Sequence, residues 1–177
     1  MGTAPAQHIQ TGLARRLATL VCDALPGWRL ALAGSAAWAA AMAGSAAARL
    51  VYDGWASVDR VVLIVVLFAL GGLLAFAPAL WLARLVSPAR SQGAFAAMFL
   101  ALATMTIAAT AFLFAMQYRL YFAEWHEPAF TITWMFQFAF TSAAAVYQFL
   151  VLGLPLFFPL GLLALLGAAL WHARSVR

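Results

Sequence analysis

Charged and polar positions divide this chain into a short amphipathic segment followed by long, almost uninterrupted apolar runs. From Ile9 onward, Leu13, Leu17, Leu20, Val21 and Ala24 recur at helical spacing, while Arg15, Thr19 and Asp23 fall on the other side. This pattern predicts an amphipathic helix with a cationic face, suited to lie on an anionic membrane surface. Pro26-Gly27 ends it, and Trp28 and Arg29 stand where an interfacial anchor belongs. The apolar runs beyond predict spans over about residues 30–48, 61–83, 93–118 and 141–171, because a helix needs about 20 apolar residues to cross the hydrocarbon core.

The first span is built from small residues, with AGSAA at 33–37 and again at 43–47 and Trp38 as its one aromatic. Small residues let helix backbones approach closely, so this helix is expected to be enclosed by partners. Ala41-Met42-Ala43 would also fit a signal-peptide cleavage site, but the long region before Leu30 favours a span. The second span carries Gly71-Gly72 and Pro78, and Pro78 is expected to kink it by removing a backbone hydrogen bond. The third apolar run reaches from Gly93 to Phe122, well beyond one crossing.

From Thr131 to Trp171 there is no charge, a stretch of about 41 residues, or roughly two spans. A double crossing would have to turn between Pro155 and Pro159, and Leu160–Trp171 offers only about 12 residues for the return. One kinked crossing is therefore expected, its first turns projecting beyond the bilayer beside the overlong third helix. The resulting fold is an all-α integral membrane protein. Residues 1–29 form an amphipathic interfacial segment, and residues 30–177 form a four-transmembrane-helix bundle with an overlong third/fourth helix hairpin.

Composition supports the class: 67% of residues are hydrophobic and 8% charged, against about 25% charged in soluble domains. The net charge of +5 comes from arginine alone, since lysine is absent. A GC-rich genome accounts for that bias. The arginines stand singly near span ends rather than on one face, which speaks against nucleic-acid binding. With the N-terminus inside, Arg15, Arg16, Arg29, Arg84, Arg90, Arg174 and Arg177 are cytoplasmic, and Arg49, Arg60 and Arg119 external. The positive-inside rule then places both termini in the cytoplasm of a bacterial inner membrane. Cys22, the single cysteine, forms no intramolecular disulfide or metal framework and reads as a small buried apolar residue.

Intramembrane chemistry usually announces itself through ionisable groups at bilayer depth. None falls deep inside a predicted span, and His8, His126 and His172 lie outside all four. This argues against a proton pump, an ion-coupled carrier or a transmembrane haem or bacteriochlorophyll protein. Glu124, His126 and Glu127, between the third and fourth spans, form the one compact donor cluster. They are candidate metal ligands or an acid/base pair, but match no zinc spacing and read more simply as a solvated hairpin tip. Gln137, Thr141 and Gln148 share one helix face and form a polar intramembrane stripe, able to line a pore, hold a quinone or hydrogen-bond a neighbouring helix. Tyr118, Tyr121, Trp125, Trp134, Phe136 and Phe138 crowd the outer part of the hairpin, more densely than an aromatic belt requires. They suggest a docking surface.

The function expected from these features is non-catalytic: a small tetraspan accessory or assembly subunit of a larger inner-membrane complex, respiratory or photosynthetic. Its partners would be membrane lipids and other membrane subunits, with no cofactor of its own beyond contact with lipid, quinone or carotenoid. The alternative is a small transporter or lipid/quinone-handling protein using the Gln137–Gln148 face. A weaker one is a membrane enzyme or metal protein using Glu124, His126 and Glu127.

Overall fold

The computed structural model describes residues 18–87 and 91–176. Most of the predicted amphipathic helix, from Ile9 to Leu17, lies outside the described residues; its last turns, residues 18–23, are helical. The described residues form helices joined by short turns: α1 (Trp28–Tyr52), α2 (Val58–Val86), α3 (Ser91–Phe122), α4 (Ile132–Gln148) and α5 (Leu160–Ser175). Four stretches are long and apolar enough to cross a membrane: Trp28–Tyr52, Val58–Val86, Gly93–Trp125 and Ile132–Phe157. Apolar side chains such as Leu32, Val66, Leu74, Leu100 and Leu163 cover the outside of the bundle. Such a surface suits hydrocarbon and not water.

Close contact between α1, α2 and α3 is set by glycine. A methyl group at Gly72 would meet Met42 Cγ at 3.0 Å and the Ala39 Cα at 3.1 Å. One at Gly71 would collide with Thr110 Oγ1 and lie 2.9 Å from the Thr110 Cα. Small residues therefore serve both faces of α2, as close packing between apolar helices requires. Trp38, Met42, Phe68, Phe76, Leu80, Met98 and Leu102 fill the space between. Trp38 Nε1 donates to Thr106 Oγ1 at 2.9 Å inside this core.

Two expectations are corrected. Within this chain α1 is not enclosed: Ser35, Trp38, Met42, Ser45, Ala46 and Leu50 are buried, while Ala33, Ala37, Ala40, Gly44 and Ala48 face outward. Cys22 is exposed. The residue of its segment that docks on the bundle is Ala24, two positions on. Pro78 sits on the exposed side of α2, which continues unbroken through it.

The last apolar stretch, expected to be one kinked crossing, is interrupted. There α4 gives way to a π-helical segment, Phe149–Gly153, then a 3-10 turn, Leu154–Phe157, before Pro159 and α5. The chain nevertheless travels one way. Phe149 packs against Phe114, Gly161 meets Ser45, and His172 shares a cavity with Arg84. α5 alone, at 16 residues, is about 24 Å long. It continues in the direction set by the residues before it, toward the end of the bundle that holds Arg84.

The overlong hairpin takes a specific form. Extending the Gly71–Thr110 register brings Phe122 level with about Asp59, so α3 ends where α2 begins. Beyond Phe122 the chain turns through Ala123–Trp125 and folds against the first half of α4. Gln148 meets Tyr118, whereas Gln137 meets the Glu127 amide. The first half of α4 thus projects past the end of α3, accompanied by residues 123–131 and by the Arg119 side chain, which reaches Phe138. Thr131 starts it, its hydroxyl accepting the Trp134 amide at 3.2 Å as an N-cap does.

Candidate functional site

The polar stripe on α4 is spent on the hairpin. Gln137 Oε1 accepts the Glu127 amide at 2.9 Å. Thr141 Oγ1 lies 3.2 Å from His126 Nε2 and donates to the Gln137 carbonyl at 2.6 Å. Gln148 Nε2 donates to the Tyr118 hydroxyl at 3.4 Å. These bonds hold the loop after α3 and the end of α3 against one face of α4. His126 thereby ties the loop to α4, while Glu124 and Glu127 point to the exterior. The three do not converge, and no group of three or more His, Cys, Asp or Glu side chains able to hold a metal occurs among the described residues.

The aromatic cluster divides into an inner and an outer set. Tyr118 and Phe138 are partly covered; the Arg119 guanidinium stacks 3.9 Å from the Phe138 ring centroid, a cation–π geometry. Trp134 is held between Phe130 and Phe138 at 5.5 and 5.2 Å. Tyr121, Trp125 and Phe136 stay exposed, joined by Phe130 and Phe140 of the same aromatic crowd and by Ile132 and Met135, which the sequence did not single out. Phe130 is the extreme case, 89% exposed and at φ 70°. A bulky side chain there sits in a conformation that favours glycine.

Three features were not legible as sites. Ser45 bridges the break before α5: it donates to the Leu156 carbonyl at 2.9 Å and accepts the Gly161 amide at 3.0 Å. A cavity of about 380 Å³ opens beside the π segment, lined by Arg49, Asp53, Phe68, Thr110, Phe114 and Gln148. Arg49 and Asp53 pair at 3.0 Å, and the buried Thr110 hydroxyl has no partner. At the opposite end, His172 is 2% exposed and its Nε2 is unpartnered. It lies beyond the predicted fourth span, and burial, with the nearby Arg84 guanidinium, holds its imidazole below the ordinary value. No family model, curated protein or solved structure matches the chain.

Proposed function

We propose that this chain is a non-catalytic four-span subunit that docks onto a larger inner-membrane assembly through the projecting end of α4. The observation that carries the reading is the uncovered apolar face of Phe130, Ile132, Met135, Phe136 and Phe140, on an element that rises past the end of α3. The polar groups of that element are already paired internally, so an apolar partner surface fits it better than water. The partner is another membrane protein, supplying an apolar helix. The outward stripe of Ala33, Ala37, Ala40, Gly44 and Ala48 on α1 offers a second surface suited to close helix packing.

The test is purification in mild detergent with identification of co-purifying proteins, for wild type and for Phe136→Ser with Phe140→Ser. Both side chains are exposed, so the double variant should fold and melt as wild type does. It should lose partners that wild type retains. Wild type that purifies alone and monodisperse defeats the reading. A second reading, a carrier of lipophilic molecules, draws on the cavity beside the π segment and the unpartnered Thr110 hydroxyl. A quinone or carotenoid extracted from the purified protein in stoichiometric amount would favour it.

A further inference from the structure

Where the bundle's first and last described helices begin and end, residues 18–25 pass across the end of α2. Trp81 Nε1 donates to the Val21 carbonyl at 3.1 Å and Arg84 Nη1 to the Leu25 carbonyl at 3.4 Å. Beneath this crossing lies a cavity of about 540 Å³, lined by Asp23, Arg84, Ser87 and His172 with Leu20, Val21, Leu85 and Val176 around them. The charges in it are unusual. The one ion pair among the described residues is Arg49–Asp53, so Asp23 and Arg84 share the cavity without pairing with each other. His172 adds a buried ring nitrogen with no hydrogen-bond partner. A folded chain rarely leaves such a group unsatisfied.

We propose that this cavity binds the zwitterionic head group of an aminophospholipid, with the phosphate toward Arg84, Ser87 and His172 and the primary ammonium toward Asp23. The proposal goes beyond the docking reading and rests only on the helices crossing a bilayer. Arginine forms strong charge-assisted hydrogen bonds to phosphate oxygens. A primary ammonium carries three donors for a carboxylate, whereas a choline group carries none. The glycerol of phosphatidylglycerol offers neutral hydroxyls and no cation, so the Asp23 charge stays uncompensated. The leucines and valines around the cavity suit the start of the acyl chains.

Native mass spectrometry from detergent tests this with equal amounts of phosphatidylethanolamine, phosphatidylcholine and phosphatidylglycerol. Wild type should retain phosphatidylethanolamine over each of the others by about tenfold, the effect of one charge-assisted hydrogen bond. Asp23→Asn should bring the ethanolamine and choline lipids to equal retention. Arg84→Gln should lower retention of all three. Because Arg84 also bonds the Leu25 carbonyl, its variant is checked for helicity; the Asp23 variant, on an exposed side chain, decides the matter if Arg84→Gln misfolds. Equal retention of the three lipids by wild type overturns the proposal, as does an unchanged preference in Asp23→Asn. Equimolar free O-phosphoethanolamine should not displace the lipid; displacement would mean the apolar flanks contribute nothing and would overturn the assignment to a lipid. None of these outcomes depends on whether partner proteins dock at the far end.

Discussion

Ser45 donates its hydroxyl hydrogen to the carbonyl of Leu156, 111 positions away in sequence, at 2.9 Å. The same oxygen accepts the Gly161 amide at 3.0 Å. One small side chain on α1 therefore closes both ends of the gap where the last apolar stretch stops being a regular helix. Away from water, each of those backbone groups would otherwise be unpaired.

Ser45→Ala should accordingly destabilise the bundle by about 2–6 kcal/mol, since two buried backbone groups lose a partner at about 1–3 kcal/mol each. Thermal unfolding in detergent measures it. An unchanged melting temperature would show that the break satisfies itself.

Gly71→Ala tests the α2–α3 contact. The added methyl would lie 2.9 Å from the Thr110 Cα, and backbone cannot swing aside as a flexible side chain can. The helices must separate, at a cost of about 1–3 kcal/mol. Gly44→Ala is the control: nothing lies within 4 Å of a methyl there, and it should melt at or above the wild-type temperature.

The orientation proposed from the arginines is tested by reporter fusions. Those at Gln92 and at the C-terminus should read cytoplasmic, and those at Ser57 and Trp125 external. A C-terminus reading external would mean that the stretch after Thr131 crosses twice, against the single path of α4 and α5.

His172 should make stability fall on acidification. Its imidazole titrates below the ordinary 6.5 in the folded chain, so the unfolded chain binds the extra proton first. The stability this contributes is fully present above 6.5 and is lost as the pH falls through the folded value. Melting temperature followed from pH 8 down to pH 5, in lipid-free detergent and with Arg84 and Asp23 intact, should drop for wild type. The drop should be smaller for His172→Gln. Parallel curves would assign the acid sensitivity to another group.

Much of this architecture was legible because lipid-like burial leaves a coarse signal. The Pro26-Gly27 stop, the charged turns around Asp53 and Asp59 and the break at Glu124–Pro128 mark the helix ends to within a few residues. The single path after Thr131 followed from length alone. What failed to show was pairwise geometry. Ser45 lies in an AGSAA echo that gives no reason to prefer it over Ser35, and only the three-dimensional neighbour, the broken backbone near Leu156, singles it out. His172 reads as one of three scattered histidines until Arg84 and Asp23 are brought beside it. The aromatic crowd could not be sorted either. Tyr118 and Phe138 differ from Phe136 and Phe140 only in which helix face they occupy against a hairpin whose register the sequence leaves open.

The break beside Pro159 also carries an expectation for biogenesis. As the chain leaves the ribosome, the last crossing emerges with a carbonyl and an amide that hydrocarbon will not solvate. The group that accommodates them sits on α1, made long before. The last helix should therefore settle more stably once α1 is in place to supply Ser45. The two ends of the gene product cannot be separated into autonomous halves: a fragment starting after α1 should stall during insertion or be degraded, and supplying residues 1–57 in trans should rescue it.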